Sequence, residues 1–442
     1  MSDTIFALGS GPAPAGVAVI RLSGPAAGAA LSALTGNRAL PKPRIAVLRN
    51  LTDPATDGLL DQGIVLWFPG PHSFTGEDVA ELHIHGGAAS IQAVLSALAD
   101  LPGCRMAEAG EFTRRAFAEG RMNLTEVEGL ADLIAAETEA QRRLALRQAS
   151  GEGAGLYQNW TDRLIRILAT LEAAVDFPED DLPEQILDRN EIDIRSLVDE
   201  WTQHIELGRA SAGIRDGVRV AILGAPNVGK SSLLNRLAGR DAAIVSETAG
   251  TTRDVIEVRL DLGGYAVTLS DTAGLRETDD RIEEEGVRRA LGAARASDLI
   301  LYLSDDRTVL QSALPEALAE RESDIFRILT KQDAEGDEGP QSESLYSISS
   351  KTGAGLTHLL AGLEDACQSR YGAAVAAVAV RARHRDALAE ARDALEHALI
   401  EREFALAAED VRIALMQLGR ITGRVDVESI LDVVFSEFCI GK

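Results

Sequence analysis

Cysteine is scarce in this chain: Cys104, Cys367 and Cys439 stand far apart among 442 residues. They are too few for a disulfide framework and are not spaced as zinc ligands, so a reducing, cytoplasmic setting is expected. Long apolar runs are also missing. No uninterrupted stretch of about 18 apolar residues occurs, so no helical membrane span is expected. The opening Met1-Ser2-Asp3-Thr4 has no basic region and no long apolar segment behind it, unlike a signal peptide. Basic charge is in deficit, with 44 Lys and Arg against 69 Asp and Glu and a net charge of −25. Nucleic-acid phosphates need clustered Lys and Arg, so any RNA contact must use a local basic patch or a partner. One candidate patch is Arg105, Arg114, Arg115, Arg121, Arg142, Arg143 and Arg147. Charge alone favours a plainer reading, helix faces on which these arginines pair with nearby Glu.

What the chain does have is a nucleotide cradle. Gly224 to Ser232 reads Gly-Ala-Pro-Asn-Val-Gly-Lys-Ser-Ser, after the apolar run Val218–Leu223 and before Leu233-Leu234-Asn235-Arg236-Leu237. Strand, glycine loop and helix in that order match the phosphate-loop pattern G-x-x-x-x-G-K-[ST]. Backbone N–H groups curl round an anion there, and the helix N-terminus adds partial positive charge. Lys230 can reach the β- and γ-phosphates, and the Ser231 hydroxyl can ligate Mg²⁺.

The rest of the chain is organised around that loop. A length of 442 residues allows roughly two to four domains. Residues 1–117 read as α+β, with strands at Val17–Leu22, Ile45–Leu48, Ile64–Phe68 and Val79–His85 and a helix over 88–98. Alternation puts Glu81, His83 and His85 on one strand face. Two histidines invite a metal reading, but no third ligand is placed, and a polar face meeting a ligand or subunit fits better. Helical periodicity starts near Thr125 with Val127, Leu130, Leu133 and Ile134. It returns over 157–175 and 192–208. The acidic Phe177-Pro178-Glu179-Asp180-Asp181 reads as a loop. Residues 216–372 alternate strands and helices. A soft linker is expected at Gly372–Ala377, followed by helical periodicity at Leu388, Ala391, Leu395, Ala398 and Leu399, then at Val411, Leu415 and Leu418. Neither helical block is long enough for a good core alone. The expected fold is therefore multidomain α/β, with a helical domain of 118–215 and 373–442 split by an inserted nucleotide-binding domain of 216–372.

Four further pieces follow the phosphate loop at GTPase spacing, over about 130 residues. Gly250-Thr251-Thr252-Arg253-Asp254 offers a threonine to the Mg²⁺ shell and the γ-phosphate. Asp271-Thr272-Ala273-Gly274 follows an apolar strand, so Asp271 can hold Mg²⁺ through water and the Gly274 N–H can approach the γ-phosphate. Strands at Ile300–Leu303 and Ile325–Leu329 lead to Thr330-Lys331-Gln332-Asp333, where a carboxylate reads the two donor groups of guanine. Ser347-Ile348-Ser349-Ser350-Lys351 is the last base-side loop. Five weak motifs in order read as a GTP site. Thr330 stands where the usual pattern has Asn, the residue that ties base loop to phosphate loop, so weaker nucleotide affinity is expected. Leu275 stands where a Ras-type enzyme has the water-positioning Gln. Another group must orient water, and the run Glu283-Glu284-Glu285 supplies candidates beside the plain reading of a solvated first helical turn. Asn227 can offer an oxygen to a monovalent cation in place of an arginine finger.

The three motifs Gly-x-Pro-Asn-x-Gly-Lys-Ser-Ser, Gly-Thr-Thr-Arg-Asp and Asp-Thr-Ala-Gly-Leu-Arg, with Phe74-Thr75-Gly76-Glu77-Asp78, His85-Gly86-Gly87 and the terminal Cys439-Ile440-Gly441-Lys442, resemble the MnmE (TrmE) family of tRNA uridine-5-carboxymethylaminomethyl modification GTPases. The likeness runs from Ala18 to Lys442. It implies an N-terminal domain that binds a tetrahydrofolate derivative and forms a homodimer, a split helical domain and the GTPase domain. It implies the FAD-dependent partner MnmG, a tRNA substrate modified at C5 of the wobble uridine with a folate one-carbon unit, and GTP hydrolysis activated by K⁺-dependent pairing of GTPase domains. By the resemblance, GTP contacts fall on Asn227, Val228, Gly229, Lys230, Ser231 and Ser232, on Ser246, Glu247, Thr248, Ala249, Gly250, Thr251 and Thr252, on Asp271, Thr272, Ala273 and Gly274, and on Lys331, Asp333, Ser349, Ser350 and Lys351. Mg²⁺ falls on Ser231 and Thr252, and K⁺ on Asn227, Ser246, Thr248 and Thr251. The catalytic glutamate falls on Glu283. Folate contacts fall on Arg21, Glu81, Lys442 and Arg121, where many relatives carry Lys, a change that keeps charge but alters donor geometry. Ser246 replaces a common Thr. Cys439 reads either as a reactive thiol near the folate or as a small buried hydrophobe. A GTPase switch for ribosome or RNA–protein assembly shares the central motifs but has no use for a folate pocket. A membrane-associated GTPase would want a basic amphipathic helix or a lipidation signal, and neither supports it.

Overall fold

The computed structural model describes residues 3–176, 184–239, 243–244, 257–271, 292–312, 316–319, 321–333, 345–375, 381–425, 434–435, 438 and 441. The chain divides into two compact units, one of 1–131, 154–158 and 416–442, the other of 132–153 and 159–415.

The first unit carries a sheet of β1 (Thr4–Leu8), β2 (Ala15–Ser23), β3 (Val47–Thr52), β4 (Leu59–Phe68), β5 (Val79–Gly86) and β6 (Cys104–Met106), in the order β3-β4-β5-β2-β1-β6. The ladders are antiparallel except β1 with β6. Period-two burial in β5 puts Ala80, Leu82 and Ile84 in the core and leaves Glu81 and His83 half-buried and His85 exposed, as the alternation predicts. Helices α1 (Ala27–Leu34) and α2 (Ala88–Ala99) supply Leu31, Leu34, Val94 and Leu98 to the same core as Phe6, Ile20 and Leu22. The strand expected from Ile45 begins at Val47. Arg44 adopts a left-handed φ of 61° and the Ile45 N–H closes a turn onto Lys42 O, which holds both out of the ladder. Helix α3 (Glu111–Ala118) and the start of α4 (Leu124–Ala135) meet a second cluster, in which Leu124 and Val127 pack with Val434, Phe435 and Phe438.

In the second unit, α5 (Glu139–Ala149), α6 (Glu152–Asp176) and α7 (Glu184–Asp216) precede a second sheet. The helix expected over 192–208 is the middle of α7, which runs on to Asp216. Trp160 of α6 lies edge-on to Trp201 of α7 at 5.8 Å, and its Nε1–H donates to Glu200 at 2.9 Å. The sheet contains β7 (Val218–Gly224), β8 (Glu257–Leu262), β9 (Tyr265–Asp271), β10 (Leu299–Ser304), β11 (Ile325–Leu329) and β12 (Leu345–Ser347), in the order β12-β11-β10-β7-β9-β8. Only β8 runs antiparallel to its neighbour. Central β7 is buried on both faces, which is why its sequence is a continuous apolar run rather than an alternation. The strand order reverses beside β7, which puts a ligand crevice at its carboxyl end. Helices α8 (Lys230–Ala238), α9 (Arg307–Gln311), α10 (Glu316–Ala319) and α11 (Leu356–Val375) follow in turn.

The soft linker expected at Gly372–Ala377 is not soft where it is described. α11 continues through Val375, with Tyr371 and Ala374 buried in the main core. Alanine is the strongest helix former and carries no side-chain entropy cost, so packing at Tyr371 and Ala374 extends the helix over Gly372. Next come α12 (Ala382–Ile400) and α13 (Phe404–Thr422). Leu388, Ala391, Leu395 and Ala398 are buried at the expected helical spacing. The loop expected at 177–181 lies outside the described residues.

The expected pairing with Glu is present for five of the seven arginines, although Arg105 lies on β6 rather than on a helix. Arg105 and Arg115 share Glu111 at 2.5 and 3.0 Å, Arg142 and Arg143 share Glu139 at 2.7 Å, and Arg147 meets Glu152 at 2.7 Å. Arg114 lies over the Phe435 ring at 5.2 Å. Among the described residues no group of three or more His, Cys, Asp or Glu is arranged to hold a metal, so the His83 and His85 metal reading gains nothing. Among those residues no helix is long and apolar enough to cross a membrane.

Candidate functional site

β7 ends in Gly224, whose φ is 150°; a β-carbon there would lie 2.4 Å from Leu303 O of the neighbouring strand. Close strand packing and the turn into the loop therefore both require glycine. Asn227 at φ 60° and Gly229 at φ 108° complete the curl, and α8 begins at Lys230. The Lys230 side chain is enclosed, with the residue 7% exposed, and its Nζ donates to Gly224 O at 2.7 Å and Ala225 O at 2.9 Å. A buried ammonium must be hydrogen-bonded. Here its partners are the carbonyls of the loop itself, so the cation is held over the loop where an anion would sit. Val228 is buried beneath the loop, while Asn227, Ser231 and Ser232 are exposed. The curled backbone and enclosed cation fit a nucleotide phosphate, and Ser231 in the first turn of α8 fits a Mg²⁺ ligand.

The base-side loop is stitched to this cradle. Thr330 follows β11, is 2% exposed, and its Oγ1–H donates to Val228 O of the phosphate loop at 2.7 Å. Its N–H donates to Ser304 O at the end of β10, 2.9 Å away. The tie that Asn was expected to supply is therefore present. A shorter side chain reaches because β11 brings its backbone against the loop, so the reason for expecting weaker affinity falls away. Lys331 takes a φ of 60° and pairs with Asp305 at 2.6 Å, which holds the Asp305 carboxyl below the usual carboxylate range. Asp333 accepts from the Ser349 hydroxyl at 2.6 Å, and Ser349 is buried and accepts from the Thr352 N–H at 3.0 Å. The Gln332 N–H donates to Ile348 O at 3.2 Å. Two loops 16 residues apart thus orient one carboxylate. Ser350 is half-buried and Lys351 exposed. Nothing in the residue type of Thr330 or Ser304 advertised these roles; the signal lay in position alone.

Several named residues lie outside the described residues: Ser246, Glu247, Thr248, Ala249, Gly250, Thr251, Thr252, Thr272, Ala273, Gly274, Glu283, Cys439 and Lys442. Asp271 is described only as the last residue of β9. Of the K⁺ ligand set, only Asn227 is described.

The first unit gathers a different group. On adjacent strands Arg21 Nε donates to Glu81 Oε1 at 3.0 Å, and His83 Nε2 lies 3.2 Å from Glu81 Oε2, so both carboxylate oxygens are held. A β-carbon on Gly76 would lie 3.4 Å from Arg121 Cγ, so the Arg121 stem runs along the loop after β4. Gly441, at φ 103°, lies so close that a β-carbon would meet Leu8 O at 2.1 Å and Gly9 Cα at 3.1 Å. Gly9 in turn lies near the Arg21 guanidinium: a β-carbon on it would be 4.0 Å from Arg21 Cζ. Residues from three distant stretches, around 21, 81 and 441, therefore share one neighbourhood. An arginine beside an oriented carboxylate can meet both an acidic group and an N–H donor of a ligand.

A mostly parallel sheet with a phosphate loop at its reversal point and an oriented carboxylate on the base-side loop defines a P-loop nucleotide-binding protein of the GTPase class. Residues 4–121 match the family "GTP-binding protein TrmE N-terminus" and residues 124–439 the family "MnmE helical domain". A protein named tRNA modification GTPase MnmE from Parvibaculum lavamentivorans is 53% identical over 100% of both chains. Relatives with the same name from Paramagnetospirillum magneticum and Rhodospirillum rubrum are 52% and 50% identical, over 100% of this chain and 100% and 99% of theirs. The chain belongs to the MnmE family. Among solved structures, the G domain of the T. maritima FeoB iron transporter is 28% identical, covering 34% of this chain and 97% of that one with a TM-score of 0.24.

Proposed function

We propose that this chain hydrolyses GTP as the GTPase component of a cytoplasmic tRNA-modifying complex. It acts as a homodimer with an MnmG-type FAD-dependent partner, at C5 of the wobble uridine and with a one-carbon unit from a reduced folate. The carrying observation is the pair of stitched loops, Thr330 on Val228 and Ser349 on Asp333, in a chain of this family. A carboxylate at this position accepts from both donors of the guanine edge, which adenine does not present. Three parts follow from this reading: a folate-binding and dimerising domain over 1–117, a helical domain of 118–215 and 373–442, and the GTPase domain over 216–372. The two family matches support it, because the helical match spans the nucleotide-binding residues between its ends.

Within the site Lys230 binds the β- and γ-phosphates, and Val228, Gly229, Ser231 and Ser232 line them. Ser231 and Thr252 hold Mg²⁺, which when bound neutralises charge developing on the phosphates. Asn227, Ser246, Thr248 and Thr251 hold K⁺. With Leu275 unable to hydrogen-bond water, Glu283 orients the attacking water. The neighbourhood of Arg21, Glu81 and Gly441 supports a folate pocket to which Arg121 and Lys442 contribute, with Cys439 as a candidate reactive thiol.

Nucleoside analysis of tRNA tests the whole reading. Cells lacking the gene should carry wobble uridines without the C5 substituent, restored by the parent chain and not by Lys230→Ala. Unchanged wobble uridines in the deletion would move the reading to an assembly switch.

A further inference from the structure

Phe74 sits at the tip of the loop joining β4 to β5 and is 39% exposed. A single exposed phenylalanine is ordinary; what marks this one is the set of groups around it. The loop beneath it is tightly held. Thr75 is buried, its hydroxyl pairs with Ser23 Oγ at 2.7 Å, and Ser23 donates to Glu77 at 2.6 Å. Arg115 Nη1 donates to Glu77 at 3.2 Å, the Gly70 N–H donates to Asp78 at 2.9 Å, and Arg44 donates to His72 O. This network places the ring where the Arg21 guanidinium lies 6.0 Å from its centroid, within cation–π reach. Arg21 is thus bracketed by Glu81 on one side and the ring on the other. Arg121 passes along Gly76, two residues further on. A rigid loop that presents an exposed aromatic beside two arginines and an oriented carboxylate is preorganised for a flat ligand.

We propose that Phe74 is the stacking wall of this pocket. It takes the face of the ligand's planar pyrimidine ring, with Arg21 and the Glu81 it holds alongside. The inference rests on the folate reading above and adds to it the residue that selects a planar ring. Stacking on an aromatic face is worth enough that its loss is readily measured.

The test is calorimetric titration of the full-length protein with tetrahydrofolate in anaerobic buffer, for the parent, Phe74→Ala, Phe74→Tyr and Arg21→Ala. Phe74→Ala should bind about 5- to 100-fold more weakly, and Phe74→Tyr close to the parent. Sedimentation should be unchanged and thermal unfolding only slightly lowered, because the ring is 39% exposed and its loop is held by other residues. Parent-like binding by Phe74→Ala, with weakened binding by Arg21→Ala, overturns the role of Phe74 and leaves the folate reading standing. No binding by the parent overturns both. Weakened binding together with a shift from dimer to monomer overturns the stacking role in favour of a subunit contact.

Discussion

Thr330→Val removes one hydroxyl and little volume from a site where the hydroxyl has a definite task. The bond from Thr330 Oγ1 to Val228 O spans 102 residues of sequence at 2.7 Å. Valine cannot donate, and the residue is 2% exposed, so water does not readily replace it. An orphaned buried carbonyl costs about 1–3 kcal/mol. The tie joins base loop to phosphate loop, and nucleotide contacts both. Where half or more of the cost falls on the bound geometry, GDP affinity drops by about 2- to 150-fold, chiefly through faster release. Preference for guanine over adenine should survive, because Asp333 and Ser349 are untouched. Thr330→Ser should stay close to the parent. Stopped-flow release of a fluorescent GDP analogue measures the effect, with thermal unfolding of the nucleotide-free protein as control. A folded Thr330→Val protein with parental release rates would refute the argument, and so would an equal loss in Thr330→Ser.

Four other outcomes are expected. GTP turnover should be faster in K⁺ than in Na⁺ at equal ionic strength, because Asn227 with Leu275 points to a cation in place of a finger; equal rates would discard the cation. Glu283→Ala should keep GTP affinity and lose turnover by about a hundredfold or more, read by phosphate release under single-turnover conditions. Gly441→Ala forces a β-carbon to 2.1 Å from Leu8 O at a φ of 103°, so the chain end must shift and tetrahydrofolate binding should weaken, with little change in overall unfolding. His204 packs its ring 5.2 Å from Trp160, and burial, with the nearby His384 charge, pushes its pKa down to about 4. Its neutral form is favoured in the fold, so its contribution is complete above pH 6.5 and is lost as pH falls from there towards 4. The loss is on the order of 3 kcal/mol by linkage. His204→Gln should flatten that part of a urea-melt pH profile, and an unchanged slope would refute the assignment.

Much of the fold was legible because its signals are local. Val218–Leu223 announces a doubly buried strand, and alternation from Val79 to His85 announces a one-sided strand. Leu388, Ala391, Leu395 and Ala398 mark a helix face by spacing alone. Where reading failed, tertiary contacts outweighed local preference. Gly372 looks like a linker, yet buried Tyr371 and Ala374 carry α11 past it. Ile45 looks like a strand, yet the left-handed Arg44 before it turns the chain away. Thr330 looked like a loss against the usual Asn, because residue type says nothing about how near β11 brings the backbone to the phosphate loop.

The amino-acid order alone determined the phosphate cradle. Glycines at 224 and 229 and a lysine at 230 are demanded by backbone conformation and charge within nine consecutive residues. Tertiary structure decided what lies across distance. It set Thr330 on Val228, Ser349 on Asp333, Arg21 between Glu81 and Phe74, and Gly441 against Gly9. Hydrogen bonds and ring contacts act over a few ångströms, while these partners are separated by tens to hundreds of residues, so only the folded path of the chain could pair them.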